Sequence, residues 1–202
     1  MARTDLKRNV GPDSKQQIID VARQLFSELS YRGVSMSDIS VRLGVTKAAL
    51  YYHFAGKREL YLDVLRQTFA ELLCRLEQAQ TSETGARQLL RMITTYLQFG
   101  VGEHNLLNVL TTRLAPADTE LRDFVADFRA QIADIFRPVV ASVFGSDQSP
   151  SRVDAKLTTS MLTAMMDGLV LEHSFFGSDL DPSKVAAQIV TILGLDYDPA
   201  SS

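Results

Sequence analysis

The sequence predicts an all-α chain of about nine helices: an N-terminal three-helix unit holding a helix-turn-helix, joined to a longer helical body. Three observations carry that prediction. Apolar residues recur at three- and four-residue spacing along most of the chain, and no stretch alternates as a strand would. Gly and Pro are scarce, 11 and 6 in 202 residues. Between residues 35 and 54 two short helical stripes are separated by one glycine-containing turn.

The elements follow in order. Residues 1–12 carry Arg3, Lys7 and Arg8 and end in Gly11-Pro12, which reads as a flexible basic arm. Ser14 to Gln17 has the capping-box pattern, and Ile18, Ile19, Ala22, Leu25 and Phe26 then mark a helix to about Leu29. Ser35 with Asp38 is a second capping box, and Ile39 and Leu43 share one face of the short helix it opens. Gly44 suits the left-handed position after that helix, Val45 is the apolar residue inside the turn, and Thr46 can cap the next helix. In that helix Leu50 and Phe54 lie four apart and face the core. Long helices are expected over 57–79, 86–100, 105–114, 118–144 and 151–175, the last with Ser151 and Asp154 in capping-box register. Asp181-Pro182 is a cap followed by proline at the first helical position, opening a helix that ends at Gly194. The chain thus divides into an arm (1–12), a helix-turn-helix head (13–58, with the motif at about 35–54) and a body (59–202).

With Leu50 and Phe54 turned inward, the helical step of about 100° turns Ala48 and Tyr52 outward, flanked by Ala49 and Tyr51. Small residues let a helix approach the floor of a DNA major groove, and an alanine methyl can touch a thymine methyl. Tyrosine hydroxyls reach further, to phosphates on the groove wall. Thr46 and Lys47 stand at the helix N-terminus, and Lys57 opens the next helix; unpaired amides there favour an anion, so Lys47 can reach a phosphate or a guanine edge and Lys57 reads as a phosphate clamp. At least one of the rings Tyr51, Tyr52 and His53 is expected to pack on neighbouring helices rather than on DNA. Charge supports the division. Up to Leu62 ten Lys and Arg stand against six Asp and Glu, a balance of +4, which leaves −7 for the remainder of a chain whose net charge is −3. A basic head on an acidic body suits a head that meets a polyanion.

The stretch SMSDISVRLGVTKAALYYHFAGKRELYLDVL resembles the signature of the TetR family of transcriptional regulators, in register from about Ser14 to Leu65. Asp38-Ile39, Gly44-Val45-Thr46-Lys47, Leu50-Tyr51, His53-Phe54 and Lys57 all fall in place. The sequence departs at Ser30, where the family usually has a left-handed glycine, and at Ala55-Gly56. The resemblance implies a homodimer that binds double-stranded DNA. It places the DNA contacts at Ser35, Thr46, Lys47, Ala48, Ala49, Tyr51, Tyr52, His53 and Lys57. It also implies an effector-binding and dimerisation body, with TAMMDGLVLEH (163–173) similar to the family's penultimate helix; the dimer would form through helices 151–175 and 181–194.

The body itself is helical, acidic and rich in Leu, Phe and Met. Phe69, Leu73, Ile93, Tyr96, Leu97, Leu110, Phe124, Phe128, Met161 and Met165 are the expected lining of a pliable apolar pocket, against a plainer reading as core filling. Arg113 and His104 are candidates to orient a polar group. Cys74, the one cysteine, permits no internal disulfide and reads as a small core residue. His53, His104 and His173 are too scattered for a metal site, and no G-x-S-x-G, P-loop or G-x-G-x-x-G pattern suggests a cofactor or catalysis. The N-terminal residues lack an apolar core and no run reaches membrane-span length, so a soluble cytoplasmic protein is expected. The reading is a sequence-specific DNA-binding regulator and not an enzyme: a repressor released from a palindromic operator by a small, mostly apolar effector. The alternatives are a helical small-molecule-binding protein or enzyme that retains a helix-turn-helix, and a DNA binder that needs no ligand.

Overall fold

In the computed structural model, residues 13–81, 84–110, 115–144 and 154–195 are described, and every regular element among them is helical. The basic arm expected at 1–12 lies outside the described residues, as do 111–114, with Arg113, and 151–153, with Ser151. The chain forms two compact units that meet in sequence at Gln67 and Thr68.

The first unit holds α1 (Asp13–Gly33), α2 (Met36–Leu43), α3 (Lys47–His53) and the start of α4 (Lys57–Thr81). α1 already includes Ser14, so its first residue precedes the expected cap. Its helical backbone is interrupted at Ser30, with φ 62° and ψ 169°, one residue after the expected end. The core is built from Ile19, Ala22 and Phe26 of α1, Ile39 of α2, Leu50 of α3 and Leu60 of α4, each at most 4% exposed. Around Phe26 the rings of Tyr31 and Tyr61 close a three-ring cluster, with centroids 4.6–6.0 Å apart. Lys15 pairs with Asp63 at 3.0 Å, and Gln16 bonds Gln67 at 2.9 Å, so the opening turns of α4 belong to this unit and the head runs past residue 58.

The second unit holds the remainder of α4 with α5 (Gly85–Gly102), α6 (His104–Leu107), a 3₁₀ turn (Asn108–Leu110), α7 (Thr119–Phe144), α8 (Ala155–Phe176) and α9 (Pro182–Ile192). α5 packs against α7, α8 and α9, which is why it buries residues round most of its girth: Leu89, Met92, Ile93, Tyr96, Leu97 and Phe99. The helix expected over 105–114 is instead a single α turn followed by the 3₁₀ turn up to Leu110. α8 also starts later than expected. Its cap is Asp154, whose Oδ1 accepts from the amides of Lys156 (2.8 Å) and Leu157 (3.0 Å), so the carboxylate serves as the cap itself rather than as the third residue of a box. Asp181 caps α9 in the same way, with Pro182 in its first turn. Cys74 is exposed rather than buried, with Gln78 bonding its sulfur at 3.3 Å. No described helix is long and apolar enough to cross a membrane.

Candidate functional site

Two sites take shape, one in each unit. The first is the exposed face of α2 and α3. Ser35 adopts an extended backbone before α2 and closes the capping box: its Oγ accepts from the amide of Asp38 (3.2 Å), and its own amide donates to Asp38 Oδ2 (2.8 Å). The Ser35 hydroxyl donates its one proton to the same carboxylate at 2.6 Å, and these bonds hold the Asp38 carboxyl below its usual pKa. Gly44 takes φ 68°, ψ 30°, so the chain turns within one residue after α2. Thr46 then caps α3, its Oγ1 accepting from Ala49 at 3.2 Å. Val45, the apolar residue of the turn, is 36% exposed, whereas Leu50 and Phe54 are buried beneath α3.

This anchoring divides α3 by face. Leu50 and Phe54 are buried, while Tyr51 is 52% and Tyr52 81% exposed, and Thr46, Lys47 and Ala48 are exposed beside them. Ala49 and His53 are half-buried. The His53 ring stands edge-on to Tyr52 with centroids 5.1 Å apart and its Nε2 is buried, so of Tyr51, Tyr52 and His53 it is His53 that turns back towards the protein. Ser35, Met36, Ser37, Lys47, Tyr51 and Lys57 line a shallow concavity of about 310 Å³ next to this face. Met36 and Ser37 are additions to the expected set. Nothing in their spacing sets them apart, since only the crossing of α2 and α3 brings them alongside Tyr51.

Lys57 departs from the clamp that its position suggests. Its ammonium donates to the carbonyls of Tyr31 and Val34, both at 2.9 Å, and sits 4.2 Å from the centroid of the Tyr31 ring. Two of its three N–H groups are therefore spent on holding the end of α1 to the start of α4. Lys47, in contrast, is exposed at the mouth of the concavity.

The second site lies within the helical body. Tyr96 of α5, Leu110 of the 3₁₀ turn, Phe128, Arg129 and Ile132 of α7, and Thr163 and Asp167 of α8 surround a cavity of about 20 Å³, room for about one water. One side of it is a hydrogen-bonded cluster. The Tyr96 hydroxyl donates to Asp167 Oδ1, and Arg129 Nη1 lies 2.9 Å from Asp167 Oδ2 and 2.9 Å from the Leu110 carbonyl oxygen. The Asp167 side chain is 8% exposed and that of Arg129 43%. Burial raises the pKa of the Asp167 carboxyl, against the opposing pull of Tyr96 and Arg129; burial also raises that of the Tyr96 phenol, and the nearby Asp167 charge adds to it. The other side is apolar, backed by Phe69 stacked 4.0 Å from Phe128 and 5.5 Å from Phe124.

Of the expected pocket residues, Tyr96, Leu110 and Phe128 line this cavity, and Phe69 and Phe124 support it from behind. Ile93 and Leu97 are buried in α5 and Leu73 is half-buried in α4; none of the three is among the lining residues. Met161 and Met165 require correction: they are 65% and 41% exposed on the outer face of α8, because Leu162 and Met166 take the inward positions. Arg129 and Asp167 carry no signal at the level of sequence, being two charged residues among many until the fold makes them neighbours. His104 and His173, widely separated in sequence, meet edge to face at 5.7 Å, each with Nδ1 on a backbone oxygen: His104 on Val101 (3.0 Å), His173 on Ser178 (2.7 Å). Among the described residues no group of three or more metal-ligating side chains assembles.

Comparison with known proteins adds to this geometry. Residues 18–64 match the model of bacterial regulatory proteins of the tetR family, and residues 86–194 match that of the BetI-type transcriptional repressor, C-terminal region. The HTH-type transcriptional activator FasR of Mycolicibacterium smegmatis is 37% identical over 79 residues, 39% of this chain and 36% of that protein. The negative transcriptional regulator IcaR of the biofilm operon icaADBC in Staphylococcus epidermidis is 32% identical over 121 residues, 54% of this chain and 65% of that protein. The chain thus spans between about a third and two-thirds of the length of these relatives. Among solved structures, FadR of Bacillus subtilis in complex with stearoyl-CoA superposes with a TM-score of 0.71 at 21% identity, covering 88% of this chain and 96% of that one. The fatty acid degradation regulator FadR of Bacillus halodurans gives 0.73 at 18% identity, covering 95% and 100%. At those identities the likeness is one of fold.

Proposed function

The chain belongs to the TetR family of bacterial regulatory proteins, and from that premise we propose that it is a DNA-binding transcriptional repressor released from its operator by a small effector. The observation that carries the reading is the division of α3: Leu50 and Phe54 anchor the helix while Lys47, Ala48, Tyr51 and Tyr52 are offered to solvent together. In this reading α3 enters the major groove, with Ala48 against the base edges. Lys47 and the tyrosine hydroxyls reach phosphates on either side. Ser35, Thr46, Ala49 and His53 shape and brace the face, and Lys57 braces the start of α4.

The protein acts as a homodimer, with α8 and α9 as the pairing surface. The apolar residues Leu157, Met161, Met165, Phe175, Phe176 and Ile192 stand exposed on those two helices, an apolar surface that a second copy would cover. Two-fold symmetry makes the operator a palindrome, with half-sites about one helical turn apart or somewhat more, roughly 34–36 Å at the least. The protein works in the cytoplasm, where the operator is, and not as an enzyme. The effector is mostly apolar and enters the body beside Phe128, where the cavity of about 20 Å³ has to widen to admit it, an assignment in keeping with the stearoyl-CoA of the similar Bacillus subtilis structure. It switches the protein only insofar as it prefers one conformation of the body over another. α4, unbroken from Lys57 to Thr81, is the covalent path by which such a preference reaches the head.

The test is Ala48→Glu, measured by fluorescence anisotropy on operator DNA obtained by in vitro selection. A carboxylate on the exposed α3 face should repel the groove and abolish specific binding, by about 100-fold or more, with the melting temperature unchanged. Retained affinity would mean that α3 does not enter the groove by this face.

A further inference from the structure

The cavity in the body is lined by two opposite charges that cancel, and this decides what kind of group it can accept. Arg129 and Asp167 form an ion pair at 2.9 Å on its wall, and the Tyr96 hydroxyl completes the carboxylate. Asp167 is nearly out of reach of water, so it depends on those two donors. A ligand carboxylate entering here would draw Arg129 away and leave Asp167 as a buried charge held by Tyr96 alone. A ligand ammonium would compete with Arg129 for Asp167 and repel the guanidinium. A neutral hydroxyl disturbs neither charge. It accepts from a spare N–H of Arg129, which has five donors, and gives its own proton to an open lone pair of Asp167. The volume agrees, since about 20 Å³ holds one water-sized group. Beyond the pair and Tyr96 the wall is mostly hydrocarbon: Leu110, Phe128 and Ile132 beside the one further polar residue, Thr163, with Phe69 stacked behind Phe128.

We propose that the body recognises an apolar molecule headed by a single neutral hydroxyl group, seated between Arg129 and Asp167, with its hydrocarbon displacing the side chains of Leu110 and Phe128. This rests on the effector reading above and names the chemistry of the head group that the effector carries. Tyr96, Arg129 and Asp167 come from three different helices, α5, α7 and α8, so the cluster that receives the head group joins three of the four elements that frame the cavity.

The experiment uses three probes of equal chain length, 1-decanol, decanoate and decylamine, with the full chain at neutral pH, read by thermal shift and calorimetry. Decanol should bind about tenfold or more tightly than either charged probe, because decanoate draws Arg129 away from the buried Asp167 and decylamine has to displace Arg129 from it against like-charge repulsion. Asp167→Asn frees Arg129 and should invert the ranking towards decanoate; Arg129→Met should invert it towards decylamine. Should either variant fail to fold, Tyr96→Phe, which removes only the phenolic hydroxyl, is expected to narrow the preference for decanol. The wild-type ranking is decisive without any variant. Decanoate or decylamine as the tightest probe overturns the proposal, and so does a flat ranking. If decanol is not preferred and another apolar compound binds and releases operator DNA, the hydroxyl inference fails while the effector reading stands. If no apolar compound binds, both fail.

Discussion

Ser30 is held at φ 62°, ψ 169°, a region that glycine enters freely and that costs other residues about 1–3 kcal/mol. The neighbours explain why it stays there: Phe26 is fully buried and the Tyr31 ring packs tilted against Tyr61 at 4.6 Å, so the chain between them must turn sharply. Ser30→Gly should therefore raise stability by about 1–2 kcal/mol, after allowing for the greater freedom of an unfolded glycine. Chemical denaturation measures it, and an unchanged or lower midpoint would show that the turn is relaxed with serine. Lys57 is the opposite case, a residue whose partners and not its backbone set its role. Lys57→Ala should cost about 1–2 kcal/mol, the loss of two half-exposed bonds to carbonyls, while the salt dependence of DNA binding keeps its slope. A salt titration in which the slope falls by about one unit would return Lys57 to the phosphates. Both residues were visible in the sequence as positions. That Ser30 replaces the family's glycine was legible there; the inward course of the Lys57 ammonium was not, because it depends on carbonyls 23 and 26 residues away.

Among whole elements, α3 was the most legible. A spacing of four between Leu50 and Phe54 fixes which side faces inward, and helical geometry then determines what is left outside. α8 was less so. Its apolar content is spread round the helix, so periodicity alone could not tell Leu162 and Met166, which are buried, from Met161 and Met165, which are not. The packing of α5 against α8 sets that rotation, and one glycine makes it possible. A Cβ at Gly100 would lie 2.4 Å from a methyl of the buried Val170. Gly100→Ala should consequently destabilise the body. The gain in helix propensity, about 1 kcal/mol, is outweighed by about 1–3 kcal/mol of overpacking in a β-branched contact that has little room to yield. Thermal unfolding of this variant should show a lower midpoint, and Gly100→Ala with Val170→Ala should recover part of the loss. An increase in midpoint for the single variant would mean that the two helices are free to separate.

For the molecule as a whole, the proposed homodimer follows from surface that a monomer leaves in water. Met161 lies on the outer face of α8, 65% exposed, so its replacement leaves the protomer's core untouched. Met161→Lys should weaken dimerisation by about 100-fold or more, since the two-fold axis would bring two unpaired ammonium groups into one apolar interface. The protomer's helical content should be unchanged. Sedimentation equilibrium decides it, and a dimer of undiminished strength would place the interface elsewhere. The balance of +4 up to Leu62 against −7 beyond it belongs to the same scale: the head is attracted to DNA and the body is not.

By itself the sequence determined the helical class, the helix-turn-helix with its Gly44 turn, and the outward face of α3. All of these depend on contacts within a few residues, where spacing and backbone geometry are enough. Only the tertiary structure turned the Lys57 ammonium onto the carbonyls of Tyr31 and Val34 and left Met161 and Met165 exposed on the surface of α8. It alone joined Tyr96, Arg129 and Asp167 at one cavity. Those outcomes depend on how helices rotate and pack against one another. That rotation is set by the fit of many side chains at once and leaves no periodic mark in any single helix.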